Sequence, residues 1–255
     1  MEEKKKGGKR AAPNRRGWLL AVLVLAGLGI WGILEWWAHT APGPGISVNE
    51  EALTRREPFY QYDAPGVTAY AGVDVSSYQG NVDWPAVKAA GADFAMLRVG
   101  FRGYGTGALV EDNAFAQNAA DAANAGLTVG VYFYSQAVTE EEAAEEAAFV
   151  LNAIRPYRVT FPVVFDWEIV GGSDARTYTV SRAVLCESAK TFCSAVEDAG
   201  YDAMIYFTQY LGYRKYILRQ LSDYEFWYAE YEAKPRIVFN FDMWQYSSTG
   251  SGNGI

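Results

Sequence analysis

The sequence predicts an α/β domain built on parallel strands, and three observations predict it. Short apolar runs alternate with amphipathic helical stretches from Ala69 onward. Glycines close several of those stretches, at Gly91, Gly126 and Gly200. The run Phe161-Pro-Val-Val-Phe-Asp-Trp-Glu168 carries two acids at the end of an apolar strand. Side chains alternate faces along a strand, so Asp166 and Glu168 point one way and Trp167 the other. Apolar strand first and paired acids last is the layout of a catalytic strand in a β/α barrel. Taken alone, a D-x-E also describes a strand end that is merely solvated.

In chain order, Ala69–Val75 reads as the first strand and Trp84–Ala90 as a short helix stopped at Gly91. Phe94–Val99 is the second strand, followed by a glycine-rich rim loop over 100–107 with no phosphate-loop pattern. A helix over 112–125 leads to the strand 127–134. The next helix opens at Thr139, with Glu142 three residues on as a capping box, and runs to about Ile154. The strand 161–166 precedes a long helix over 179–199. Strands at 203–207, 225–229 and 241–246 finish the series, with little room for helices between the last three. Such alternation predicts a parallel sheet, open or closed into a barrel.

Upstream, residues 1–16 hold seven Lys/Arg against two Glu, leaving 15 of the 22 basic and 28 of the 30 acidic residues for the rest. The body is therefore strongly acidic, which excludes a nucleic-acid-binding face. Residues 17–34 are an uncharged apolar run of eighteen, roughly 27 Å of helix and enough to cross a bilayer core. Trp18, Trp31, Trp36 and Trp37 flank it like interfacial belts. The expectation is a basic cytoplasmic tail (1–16), an uncleaved single-pass anchor (17–38), a spacer (39–68) and an extracellular domain (69–255).

The single histidine, His39, precedes the domain, which removes Ser-His-Asp and Cys-His catalysis and histidine-rich zinc sites from it. Cys186 and Cys193 are seven apart on one helix, about 10 Å along its axis and too far for a disulfide. No metal or cofactor is implied. Any chemistry in this domain must run on carboxylates, tyrosines or lysines.

The segments Gly72-Val-Asp-Val-Ser-Ser-Tyr-Gln-Gly80, Val82-Asp-Trp84, FAMLRVG, D-x-x-F-x-x-N at Asp112–Asn118, AGLTVGVYFYSQA, PVVFDWE, EFWYAEY and MWQYSS follow one another in this chain. In that order and spacing they resemble the family 25 glycoside hydrolases, lysozyme-like muramidases that act on bacterial peptidoglycan. The resemblance spans about Ala69 to Ser248. It implies an irregular, TIM-like β/α barrel and hydrolysis of the β-1,4 bond between N-acetylmuramic acid and N-acetylglucosamine. The family's acid/base glutamate falls on Glu168, its paired aspartate on Asp166 and its strand-one aspartate on Asp74. Tyr132 matches a family tyrosine, while Phe133 stands where a histidine is common. The family continues past W-Q-Y-S-S into a final strand with another aspartate. This chain stops at Ile255, so that strand is expected to be absent from it.

Both a structural and a binding role attach to the remaining candidates. Asp74 suits catalysis or a turn around Ser76 and Ser77. Arg98 suits substrate or a core carboxylate. Tyr132 and Tyr134 share a strand face, and Tyr231, Gln245 and Trp227 suit a sugar groove or packing. The expected partners are peptidoglycan glycan strands and, through the anchor, the membrane, with the chain acting as a monomer. Two other functions fit the same residues: a chitinase-like N-acetylglucosaminidase, and a catalytically silent, surface-tethered glycan-binding module.

Overall fold

The computed structural model describes residues 47–250 and Gly254. The stretch read as a membrane anchor lies outside the described residues. Among those described, no helix is long and apolar enough to cross a membrane.

Seven parallel strands form a curled sheet: β3 (Gly72–Val75), β4 (Phe94–Arg102), β6 (Thr128–Ser135), β7 (Val163–Trp167), β8 (Ala203–Thr208), β9 (Glu225–Ala229) and β10 (Met243–Gln245). Their order across the sheet is β10-β9-β8-β7-β6-β4-β3. Neighbours in sequence are thus neighbours in space, as right-handed crossovers through helices produce. The crossover helices are α1 (Trp84–Ala89), α2 (Phe115–Asn124), α3 (Glu140–Ile154) and α4 (Arg182–Asp198). A short α5 (Gln209–Arg214) fits between β8 and β9, where the sequence left little room for one. Among the described residues β3 and β10 are the sheet edges, with no ladder joining them. The curl and its helices are those of a TIM-like α/β fold.

Alternation along the strands separates two cores. Leu97, Val99, Val131, Phe133, Phe165, Trp167, Ile205, Phe207, Phe226 and Tyr228 face the helices in one continuous apolar layer. Phe133 is fully buried in that layer, so the position offers the mouth no polar group. Met96, Val164, Met204, Tyr206, Trp227 and Ala229 fill the inside of the curl, with Phe94, Tyr132 and Met243 packed against them. The curl is tight there. A Cβ at Gly130 would lie 2.5 Å from Met96 Sδ and 3.0 Å from the Pro162 carbonyl oxygen.

Two segments differ from the sequence reading. The spacer contains an antiparallel hairpin of β1 (Leu53–Arg56) and β2 (Phe59–Tyr62). Its Tyr60 ring packs on Trp244 (5.4 Å) and Tyr246 (4.9 Å). The start of the rim loop continues the strand before it: β4 runs on to Arg102 and pairs antiparallel with β5 (Leu109–Glu111). Buried Arg102 explains the extension. Its Nε donates to Glu146 (2.7 Å), and its other nitrogens reach the Gly107 and Glu142 carbonyls (both 2.8 Å), pinning the turn to α3. Cys186 and Cys193 are free and buried, as their spacing predicts.

Candidate active site

The candidate side chains arise from one rule, strand parity at the C-terminal ends of the sheet. Asp74 on β3 lies level with Met96 on β4, an inward residue. Arg98 pairs with Tyr132, and Tyr134 with Asp166. Tyr206 pairs with Trp227, and Gln245 with Ala229. Glu168 follows Asp166 by two residues, one step past the end of β7. The inward face that carries Met96, Val164 and Met204 lower down therefore presents acids, tyrosines and an amide at its top.

Asp166 is 5% exposed, and its Oδ1 has no hydrogen-bond partner among the described residues. Burial pushes its carboxyl well above the usual range; Glu168 and Asp74 push the same way, and Arg98 opposes them. Burial also raises Glu168. Asp74 is raised by burial against the pull of its hydrogen bond with the Gln245 side chain. Three carboxyls thus share a poorly hydrated space in which full ionisation is unfavourable, and a proton stays on the cluster to higher pH than an isolated acid would hold it.

Gln245 is fixed in turn, its Oε1 accepting from Tyr231 (3.0 Å) and Tyr206 (3.2 Å). Tyr132, Tyr134 and Tyr206 are all raised, by burial first and then by the neighbouring carboxyls, and so remain neutral donors. Trp227 is buried, with the Tyr132 and Tyr206 rings edge-on to it at 6.0 and 5.3 Å. It serves as a packed floor. Tyr231, half exposed, stands at the rim.

Arg98 meets a core carboxylate. Its Nε donates to Asp112 at 2.7 Å and its Nη2 to Ser77 Oγ at 3.1 Å. Burial works against the Asp112 charge, but the Ser77 and Ala114 amides and Arg98 together hold its carboxyl below the ordinary range. Asp112, rather than Asp74, is the carboxylate that accepts the Ser77 N–H. The turn at Ser77–Gln79 lifts Tyr78, 86% exposed, over the Arg98 guanidinium at 4.9 Å. Sequence reasoning singled out neither Tyr78 nor Tyr206 nor Gln136, described below. Parity alone would have found Tyr206, while the other two show only in tertiary contacts.

A cleft of about 580 Å³ opens beside this cluster; Asp74, Gln79, Trp227, Tyr231 and Gln245 are part of its lining, while Asp166 and Glu168 are not. A separate depression of about 510 Å³ at Gln209, Tyr210, Tyr213 and Arg214 holds no carboxylate. Among the described residues no group of three or more His, Cys, Asp or Glu side chains is arranged to hold a metal ion.

Comparison with known proteins matches residues 73–255 to the model of the glycosyl hydrolases family 25. The chain belongs to that family. The hairpin of β1 and β2 precedes the matched region. Among relatives, the family 25 chain is 28% identical over 186 residues to an autolytic lysozyme of Clostridium acetobutylicum, covering 72% of this chain and 52% of that one. It thus spans about half the length of that curated relative. A family 25 glycosyl hydrolase from Bacillus anthracis superposes with a TM-score of 0.58 at 25% identity, over 72% of this chain and 84% of the other. The modular autolysin LytC of Streptococcus pneumoniae shares the fold, with a TM-score of 0.62 at 20% identity over 82% of this chain and 50% of that one.

Proposed function

We propose that this chain hydrolyses the β-1,4 bond between N-acetylmuramic acid and N-acetylglucosamine in bacterial peptidoglycan, with Glu168 as general acid/base. The observation that carries the reading is the meeting of Asp74, buried Asp166 and Glu168 on one inner face in a member of family 25. Glycosidic cleavage needs a protonated acid beside the leaving oxygen and negative charge beside the oxocarbenium-like sugar. Burial raises the Glu168 carboxyl and so favours the protonated form that the acid role needs. The unpartnered Oδ1 of Asp166 suits the N–H of the sugar's 2-acetamido group, whose carbonyl oxygen then attacks the anomeric carbon. Arg98 and Asp74 tune that carboxyl, and Tyr132, Tyr134, Tyr231 and Gln245 bind the sugar above the Trp227 floor.

Upstream, the apolar run at 17–34 behind seven basic residues supports a single-pass anchor with a cytoplasmic N-terminus. The hydrolase then acts outside the cell on wall within reach of the membrane.

Glu168→Gln tests the acid role. It keeps size and burial but removes the proton donor, so cleavage falls by a factor of about 10² to 10⁴ while peptidoglycan binding persists. A variant that retains more than a tenth of the parental rate would remove Glu168 from that role.

A further inference from the structure

Glu168 sits where the sheet no longer holds it. The β6–β7 ladder ends with Ser135 opposite Trp167, so the backbone of residue 168 has no strand partner on that side. Beyond it the chain turns through Gly171, at φ 87°, and Gly172. An acid/base group on a strand's free end needs some other restraint, because a misplacement of about 1 Å costs on the order of 10²-fold in rate.

The restraint comes from the segment after β6. Gln136 is fully buried, and its Nε2 donates to the Glu168 carbonyl at 2.6 Å and to the Ser135 carbonyl at 2.9 Å. One step back, Trp167 Nε1 donates to the Ala137 carbonyl at 2.8 Å, so the two segments are laced in both directions. Arg176, on the loop that follows Glu168, closes the frame. Its Nη1 donates to the Gln136 carbonyl and its Nη2 to Glu142, each at 2.6 Å. Glu142 is anchored in turn by the Val138 N–H at 2.8 Å.

We infer that Gln136 is a positioning residue for Glu168: its side-chain amide supplies the hydrogen bond that a longer ladder would have made, and Arg176 locks Gln136 in place. The inference rests on the reading of Glu168 as the acid/base group. Gln136 never touches substrate. It fixes the backbone from which the reacting carboxyl projects, and a buried amide does this more rigidly than a solvated loop because its alternatives to the bond are costly.

The test compares the full chain with Gln136→Met, which keeps length and burial but donates nothing, and with Arg176→Ala at a partly exposed site. Expected is a fall in kcat of about 10² for Gln136→Met and about tenfold for Arg176→Ala. KM stays within about twofold and the double variant is no worse than Gln136→Met alone. Carbon-13 NMR titration of the glutamate carboxyls gives a readout independent of turnover. With the restraint removed, Glu168 becomes more hydrated and its midpoint moves down toward an ordinary glutamate. A parent that cleaves nothing would sink the proposed activity, but the titration would still decide the positioning role. An unchanged Glu168 midpoint in Gln136→Met would overturn the inference, as would a kcat within threefold of parent. Should Gln136→Met not fold, the same two readouts in Arg176→Ala decide it, with an unmoved midpoint and unchanged kcat counting against.

Discussion

Replacing Arg98 by methionine leaves Asp112 buried without its counter-charge. The Asp112 side chain is fully shielded and that of Arg98 is 11% exposed, so water screens the pair little. Breaking such a pair from one side costs about 3–5 kcal/mol. Asp112 keeps the Ser77 and Ala114 N–H bonds, at 3.1 and 2.9 Å, which argues for the lower end. The cation–π contacts of Arg98 with Tyr78 and Phe101 are lost as well, at 4.9 and 5.6 Å. At about 2–4 °C per kcal/mol for a domain of this size, Tm should fall by about 6–12 °C. Scanning calorimetry of Arg98→Met, Asp112→Asn and the double variant checks this. The double should be markedly less destabilised than the two singles combined, giving a coupling of about 2 kcal/mol or more. A Tm within about 2 °C of parent for Arg98→Met, accompanied by a raised KM for glycan, would refute the structural reading and return Arg98 to substrate binding.

Further outcomes follow from the same geometry. Asp166→Asn removes a carboxyl whose folded value is raised, so its stabilising contribution is present at low pH and lost as pH rises through that value. The variant should melt higher than parent at pH 8, with little difference at pH 4, while kcat drops by about 10² or more. Tyr206→Phe removes one donor to Gln245 and should reduce kcat/KM by roughly three- to tenfold, the worth of a single hydrogen bond, with Tm nearly unchanged. Asp112 and Glu230 are both held below their ordinary range, Glu230 by the Arg236 backbone N–H and the Tyr228 hydroxyl against its burial. Their contribution is present above the unfolded values and lost as pH falls through the folded ones. Tm should therefore decline below about pH 4, and less steeply in Asp112→Asn.

Much of this site is legible in the sequence because parity is a local rule. The strand ending in Asp-Trp-Glu and the shared face of Tyr132 and Tyr134 follow from alternation once the apolar runs are identified, whereas Asp74 on the first strand is singled out by the resemblance to family 25. What sequence missed lies in contacts that alternation does not encode. The hairpin at 53–62 carries Arg55, Arg56 and Glu57 in its most exposed part and lacks a clean alternating pattern, so it reads as spacer. The extension of β4 through Gly100 to Arg102 depends on Glu146, forty-four residues away, which no glycine-rich stretch announces. Arg98 offered two roles until Asp112 appeared beside it. Gln136 is one polar residue in a Ser-Gln-Ala run, and only the end of the β7 ladder shows what its amide does.

The most direct test of the central claim is a digest of purified peptidoglycan by the full chain, followed by borohydride reduction and mass spectrometry of the released muropeptides. The account predicts that new reducing ends carry reduced N-acetylmuramic acid, and that Glu168→Gln produces none above background. New ends carrying reduced N-acetylglucosamine, or a folded chain that binds the glycan and releases nothing, would contradict it.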